Sequence, residues 1–162
     1  MTTSFSTRGT YPAEPDRMVR VLSHPEVLVQ QKLDQGAIEA IVTELERSEA
    51  KLVQRVDTVE YHRGMTGVDR SKQVPAETHY DWDLTQRRCR WRYLGERGER
   101  VRLEGRIAVT AHPEGSEVES NFEVQVRAPI IGRAIEGVIV RELQAGLPAF
   151  DALLKTWCEK VE

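Results

Sequence analysis

The sequence predicts an α+β fold in which a curled antiparallel sheet of about seven strands grips one long C-terminal helix. Residues 117–127 alternate between polar and mostly apolar side chains, the period of a strand with one wet face. After Ala128-Pro129 the apolar residues instead follow the period of a helix of roughly thirty residues. They form one stripe: Ile131, Ile135, Val138, Ile139, Leu143, Leu147, Phe150, Leu154, Trp157 and Val161.

The chain is predicted to begin with a strand over residues 4–11, followed by two short helices. Pro15 suits the first turn of the first helix, because its missing N–H would be unpaired there in any residue. Ser23-His24-Pro25-Glu26 has the pattern of a capping box, in which the Ser23 hydroxyl accepts the Glu26 amide. The second helix is then expected to continue through Leu33 and to stop near Gly36.

From residue 37 onward the chain reads almost entirely as strand until the long helix. The predicted strands are 37–46, 50–62, 76–84, 88–94, 101–109 and 117–127. Most connectors are short, which predicts sequential hairpin neighbours in an antiparallel meander. The polar, glycine-containing stretch from Tyr61 to Pro75 is expected to contain the longest loop, and Gly105 to be the easiest place for the sheet to bend.

The composition fits one domain over residues 1–162. Pro148 should bend the long helix or break it near Gln144–Ala145, so residues 149–162 are a candidate for a kinked or separately mobile end. The net charge is −3 with no basic block, which argues against nucleic acid as a partner. No apolar run reaches the ~18–20 residues of a membrane span, and the N-terminus lacks signal-peptide features, so we expect a cytoplasmic protein.

Two segments and the order of the elements resemble the START-like (SRPBCC) superfamily. Residues 15–26 resemble that family's short helix and the Ser-Asp-Pro-Glu-type corner after it, and residues 126–132 resemble the start of its gripping helix. The family includes steroidogenic lipid-transfer domains, birch-pollen-type allergens and bacterial polyketide cyclases. The resemblance implies a helix-grip fold with a space between sheet and helix. It is strongest to an uncharacterised bacterial branch, a domain of unknown function.

No group of residues has the pattern of a catalytic or metal centre. Cys89 and Cys158 are far apart and are expected to be reduced, and burial on the apolar face would leave Cys89 inert. No His-x-x-x-His or Cys-x-x-Cys pair occurs, and no nucleophile has an evident base. We therefore predict no catalytic residue, no metal and no cofactor, and we favour a non-catalytic protein over an enzyme.

The aromatic residues on the predicted inner face are the main candidates for function. By strand parity Tyr80, Trp82, Trp91, Tyr93 and Phe122 point toward the helix. They either pack a solid core or line an apolar pocket, and parity does not distinguish these. The resemblance favours the pocket, which would also be lined by Ile135 and Ile139 of the helix, with His62 and Arg63 at its mouth.

Three functions follow from these two arrangements. The leading hypothesis is non-catalytic binding of a lipid or other hydrophobic small molecule between sheet and helix. The second is a polyketide cyclase or aromatase-like enzyme, with Arg63, Tyr80 or His62 polarising a substrate carbonyl. The third is a protein-interaction module with a filled core, whose partner would contact the C-terminal segment after Pro148.

Overall fold

A computed structural model of the protein describes residues 2–64 and 67–162. Its strands are β1 (Thr3–Tyr11), β2 (Glu39–Arg47), β3 (Lys51–Gly64), β4 (Gly67–Asp83), β5 (Arg88–Leu94), β6 (Val101–His112) and β7 (Gly115–Val126). Its helices are α1 (Pro15–Leu22), α2 (Pro25–Asp34) and α3 (Gly132–Cys158), and a 3₁₀ turn covers Gly98–Arg100.

The strands form one seven-stranded antiparallel sheet in the order β1-β7-β6-β5-β4-β3-β2. Strands β2 to β7 are sequential neighbours, so the predicted meander is confirmed. The first strand pairs with the last, and Phe5 lies opposite Phe122. The α+β fold, with a curled sheet, two short helices and a long C-terminal helix, is likewise confirmed.

The predicted long loop between Tyr61 and Pro75 is wrong. Strands β3 and β4 continue through this stretch as one long hairpin, in which Tyr61 pairs with Gln73 and Gly64 with Gly67. A register shift follows Tyr61, so that His62 pairs with Asp69. The outer part of β4 is exposed along its length, which explains why it carries polar side chains without an apolar alternation. Residues 65 and 66 of this stretch lie outside the described residues.

The predicted capping box at the α1–α2 corner is also wrong. The cap of α2 is His24, whose Nδ1 accepts the backbone N–H of Glu26 at 3.2 Å. The Ser23 hydroxyl instead donates to the carbonyl of Val19, one turn earlier, at 2.8 Å. Ser23 lies at the C-terminal end of α1, where its backbone N–H also donates to the Val19 carbonyl, so both donors of Ser23 bind within the last turn of that helix.

Helix α3 continues through Pro148, so the predicted break near Gln144–Ala145 does not occur. Proline removes one intrahelical donor, and the carbonyl that loses it belongs to Gln144, which is exposed to water. Ile131 and Val138 are each 43% exposed, so the apolar stripe that faces the protein is narrower than predicted. A kinked or mobile end over residues 149–162 stays a prediction.

Partly buried hydrogen bonds near both ends of α3 join it to strands β1 and β7 at the edge of the sheet. The Glu136 carboxylate accepts the backbone N–H of Val126 at 3.0 Å and the Thr3 hydroxyl at 2.7 Å. Near the other end of the helix, the Tyr11 hydroxyl donates to Asp151 at 2.7 Å. Burial of Glu136 alone would raise its pKa, but these hydrogen bonds outweigh burial and hold the pKa below its ordinary value.

The packed core lies where α1, α2 and the last turns of α3 meet the sheet. Its fully buried side chains include Met18, Val21, Val27, Leu52, Val56, Trp82 and Leu154. Cys89 and Cys158 are both free and buried, and burial raises the pKa of each thiol. Among the described residues, no helix is both long enough and apolar enough to cross a membrane.

Candidate functional site

An aromatic row crosses the inner face of the sheet. Cross-strand pairing places one residue of each strand from β3 to β1 in register: Gln54, Tyr80, Trp91, Gly105, Phe122 and Phe5. The rings of Phe5 and Phe122 are stacked, with centroids 4.5 Å apart and planes 3° from parallel. Trp91 meets Phe122 edge to face at 5.8 Å. The row therefore presents a continuous apolar surface toward α3.

Gly105 allows the Trp91 ring to lie across strand β6. A Cβ atom at position 105 would come within 2.5 Å of two indole carbons and 2.6 Å of the Asn121 carbonyl oxygen. Any other residue would therefore have to displace the ring or the neighbouring strand. Gly105 has no positive φ, so the need for glycine here is close approach.

The surfaces that face each other between the sheet and α3 are only half-buried. Trp91, Tyr93 and Phe122 on the sheet are each partly exposed, and so are Ile135 and Ile139 on the helix. The helix packs chiefly against β1, β7, α1 and α2 at the edges of this region.

The other predicted inner-face aromatics are more deeply placed. Trp82 is 1% exposed and belongs to the packed core near α1 and α2. Tyr80 is 6% exposed and lies next to Trp91 in the row. Burial raises the pKa of Tyr80 further above neutrality, so its hydroxyl stays protonated. Trp82 and Tyr80 thus both belong to the packed core, and Tyr80 also lies in the aromatic row.

A polar cluster adjoins the aromatic row on the same face. The Tyr93 hydroxyl donates to one carboxylate oxygen of Glu60 at 2.5 Å, and the Thr58 hydroxyl donates to the other at 3.2 Å. Burial, and then the negative charge of Glu60, raise the pKa of Tyr93, so Tyr93 remains a hydrogen-bond donor. This cluster brings a charged group to the interior end of an otherwise apolar surface.

Lys32 is a buried residue of α2. The residue is 9% exposed, and its ammonium has no hydrogen bond or ion pair with any residue that the structure describes. Burial lowers the pKa of Lys32 to about 8, and the nearby negative charge of Glu60 opposes that shift. A buried ammonium without a partner is costly.

His62 and Arg63 lie at the outer end of the same region, on the β3–β4 hairpin. His62 Nδ1 contacts a Glu96 carboxylate oxygen at 2.5 Å, which joins the hairpin to the loop before the 3₁₀ turn. Arg63 pairs with Glu142, which joins the hairpin to the middle of α3. The two residues predicted to lie at a pocket mouth are thus each paired with a carboxylate.

A groove of about 460 Å³ lies on the outer face of the sheet, and Phe5, Trp91, Gly105 and Phe122 of the aromatic row belong to its lining. Two polar rows form its walls, with Ser4, Glu123, Glu104, Arg92 and His79 in one and Ser6, Asn121, Arg106 and Arg90 in the other. Charges of both signs occur there, and like charges lie directly opposite each other in the pairs Glu104–Glu123 and Arg90–Arg106. The sequence did not predict this groove. Among the described residues, no group of three or more His, Cys, Asp or Glu side chains has the arrangement of a metal site.

Sequence reasoning missed three residues of the inner site, namely Phe5, Glu60 and Lys32. Glu60 shares the strand parity of the buried residues Leu52 and Val56, which was an available signal. Phe5 could be placed in this row only once the first strand was known to pair with the last. Lys32 follows Leu28 by one helical turn, but a lysine at that position more often marks the edge of an apolar stripe.

Solved structures of similar fold cover nearly the whole chain. The ZhuI aromatase/cyclase from Streptomyces sp. R1128 has a TM-score of 0.66 at 14% identity, covering 99% of this chain and 95% of that one. Norcoclaurine synthase from Thalictrum flavum, in complex with dopamine and hydroxybenzaldehyde, has a TM-score of 0.63 at 16% identity, covering 98% and 88%. A protein from Thermus thermophilus has a TM-score of 0.61 at 19% identity, covering 99% and 98%.

At these identities the structural neighbours show a shared helix-grip fold. No curated protein matches the sequence. The model of one family, described as a protein of unknown function (DUF2505), matches residues 6–158. The chain therefore belongs to the DUF2505 family.

Proposed function

We propose that the protein binds a hydrophobic small molecule between α3 and the inner face of the sheet. The observation that carries this proposal is the partial exposure of two facing apolar surfaces, Trp91 and Phe122 on the sheet and Ile135 and Ile139 on the helix. Ligand sites are concave, mostly apolar and supplied with a few polar groups, and the cluster around Glu60 would provide the polar groups here.

The expected affinity is moderate. Burial of apolar surface contributes roughly 25 cal/mol per Å², so a ring compound that covers about 200 Å² gains about 5 kcal/mol. Part of that gain is offset by the lost freedom of the ligand. Two proteins of similar fold support the proposal, because one is an aromatase/cyclase and the other is a synthase in complex with dopamine and hydroxybenzaldehyde. Ring-bearing molecules are therefore the first to test.

The two alternative functions have weaker support. In the cyclase hypothesis Arg63, Tyr80 or His62 would polarise a carbonyl. Arg63 and His62 are already paired with Glu142 and Glu96, and Tyr80 is only 6% exposed. In the interaction hypothesis the C-terminal segment would leave the core to meet a partner. Leu154 in that segment is 1% exposed, so the helix end would first have to give up its packing.

Binding of the neutral dye N-phenyl-1-naphthylamine, whose fluorescence rises in apolar surroundings, tests the proposal. Ile139→Trp would fill the space beneath α3 and abolish the fluorescence rise. Val138→Trp is the matched control, because Val138 is the adjacent residue and is 43% exposed. It should bind the dye like the wild type.

Thermal unfolding of the same two variants separates an unfilled space from a solid core. In an unfilled space Ile139→Trp leaves the melting temperature within a few degrees of the Val138→Trp value. A solid core would be overpacked by the larger ring and destabilised by about 1–3 kcal/mol. A strongly destabilised Ile139→Trp, together with a wild type that does not bind the dye, would refute the proposal.

A further inference from the structure

The segment that joins β7 to α3 presents two isoleucines to solvent between two arginines. Its sequence over residues 127–133 is Arg-Ala-Pro-Ile-Ile-Gly-Arg. Ile130 is 101% exposed and Ile131 is 43% exposed. Ile130 is the most exposed large hydrophobic residue in the part of the chain that the structure describes. Adjacent apolar side chains that are left in water indicate a contact surface, whereas a single one would need no explanation.

The backbone at Ile130 is held in a conformation that disfavours isoleucine. Its φ is 73°, in the left-handed region, where a β-branched residue is an outlier. Glycine would adopt this φ without a steric penalty. Hydrogen bonds hold the chain around it, since the Gly132 N–H donates to the Ala128 carbonyl at 2.9 Å. Neither packing nor backbone preference therefore accounts for an isoleucine at this position, which points to a role outside the fold.

Two arginines next to the isoleucines have no carboxylate partner. The backbone N–H of Arg127 donates to the Arg100 carbonyl at 2.8 Å, which joins the segment to the 3₁₀ turn. Both residues are exposed, and neither side chain forms an ion pair with any residue that the structure describes. The Glu99 carboxylate in the same turn is already paired with Arg92 and Arg102. Positive charge thus remains unneutralised beside the exposed apolar side chains.

We propose that the 127–133 segment docks the protein on the surface of an anionic lipid bilayer. Ile130 and Ile131 enter the boundary of the acyl chains, while Arg100 and Arg127 contact the headgroups. Anionic lipids attract basic residues near the surface, and insertion removes the apolar side chains from water. The inference goes beyond the proposed function and does not depend on it.

Area and charge favour a bilayer over a second copy of this chain. The exposed surface of two isoleucines is well below the roughly 800 Å² that each partner buries in a stable protein interface. A two-fold contact through this segment would also bring Arg127 of one copy close to Arg127 of the other, and like charges repel. A bilayer needs no complementary shape and supplies the opposite charge.

Sedimentation with sucrose-loaded vesicles tests the proposal. The vesicles contain either phosphatidylcholine alone or phosphatidylcholine with one third phosphatidylglycerol, and the wild type should bind the anionic vesicles more tightly. Burial of one isoleucine corresponds to roughly a tenfold change in affinity or more. Ile130→Ser should therefore weaken binding at least tenfold. Ile41→Ser, at an isoleucine of β2 that is 63% exposed, is the matched control and should bind like the wild type.

Arg127→Gln tests the contact with the headgroups. One basic residue near an anionic surface corresponds to about a fivefold change in affinity. The variant should lose about that much on anionic vesicles and nothing on phosphatidylcholine. Arg90→Gln, at an exposed arginine on the outer face of the sheet, is the control and should match the wild type. Equal losses in the two variants would mean that binding follows net charge alone and would overturn docking through this segment.

Ile130→Gly separates a binding role from a structural one. Glycine removes the side chain and relieves the strained φ, so the urea concentration at the midpoint of unfolding should rise while vesicle binding falls as in Ile130→Ser. A lower midpoint would show that Ile130 stabilises the fold, which would contradict an isoleucine retained for docking.

The remaining outcomes keep this inference distinct from the proposed function. A wild type that does not sediment with anionic vesicles would overturn the inference. So would self-association that Ile130→Ser abolishes in the absence of vesicle binding, because the segment would then contact protein. Without vesicles, Ile130→Ser should bind N-phenyl-1-naphthylamine like the wild type. Loss of the dye in this variant would mean that the segment belongs to the ligand site instead, and would overturn the docking role.

Discussion

The indole of Trp91 lies across Gly105 of the neighbouring strand so closely that no side chain fits at position 105. An added Cβ would come within 2.5 Å of the ring. This contact places the edge of Trp91 against Phe122, which in turn stacks on Phe5. One glycine thus supports the continuity of the aromatic row and the shape of the proposed ligand surface.

Gly105→Ala should disturb this row directly. We expect the free energy of unfolding to fall by about 1–3 kcal/mol, because the Trp91 ring or strand β7 must move. The affinity for N-phenyl-1-naphthylamine should fall with it. Urea unfolding and dye titration measure the two effects. An alanine variant with wild-type stability and affinity would show that the ring is not constrained by position 105.

Gly137→Ala should have the opposite effect on stability. Position 137 is within α3, and an added Cβ would meet no atom within 4 Å. Replacement of glycine by alanine inside a helix stabilises by roughly 0.5–1 kcal/mol. The urea concentration at the midpoint of unfolding should therefore rise, and the slope of the free energy of unfolding against urea concentration should not change. A lower midpoint would mean that α3 packs more tightly at this position than the structure has it.

Lys32 should make the stability of the protein depend on pH above neutrality. Its pKa falls from 10.5 to about 8 on folding, so between these values the unfolded chain binds more protons than the native protein. Stability should consequently rise with pH from about 8 toward 10. The shift corresponds to a penalty of about 3 kcal/mol at neutral pH.

The difference in the free energy of unfolding between wild type and Lys32→Met isolates this effect from that of the tyrosines, which titrate near pH 10 in the unfolded chain. At pH 7 the variant should be the more stable protein, and its advantage should shrink as the pH rises to 10. The measurement is urea unfolding at a series of pH values. A constant difference over this range would show that Lys32 is not desolvated.

Glu136 should make the protein sensitive to acid. The hydrogen bonds from Val126 and Thr3 lower the pKa of Glu136 in the folded protein. Glu136 therefore contributes to stability at pH values above the ordinary carboxyl pKa, and this contribution is lost as the pH falls through the folded pKa. Glu136→Gln should lower the free energy of unfolding by about 1.5–3 kcal/mol at pH 7. This difference in the free energy of unfolding between wild type and variant should disappear as the solution is acidified. A difference that is independent of pH would contradict a charged Glu136.

Local patterns were sufficient to predict most of the fold. The alternation in β7 and the helical period after Pro129 specify both elements, and short connectors specify the meander. They failed where an exposed strand has no apolar alternation, as in the outer half of β4. They failed again at the α1–α2 corner, where two adjacent side chains compete for the same cap. In each case the structure depends on an interaction that the spacing of apolar residues along the sequence does not show.

The candidate site was less predictable because it depends on register between distant segments. Parity places Trp91 and Tyr93 on the inner face, but it does not show whether a ring is enclosed, as Trp82 is, or partly exposed. The stack of Phe5 on Phe122 requires the pairing of the first strand with the last. The burial of Lys32 depends on how α2 packs, which no sequence period specifies.

Binding of a hydrophobic molecule between α3 and the inner face of the sheet can be observed directly by NMR. The experiment detects intermolecular NOEs from N-phenyl-1-naphthylamine to methyl-labelled, ring-labelled protein. We expect NOEs from the dye to the methyl groups of Ile135 and Ile139 and to the rings of Trp91 and Phe122. NOEs confined to the outer groove, for example to the ring of His79, would place the dye on the wrong face and refute binding beneath α3.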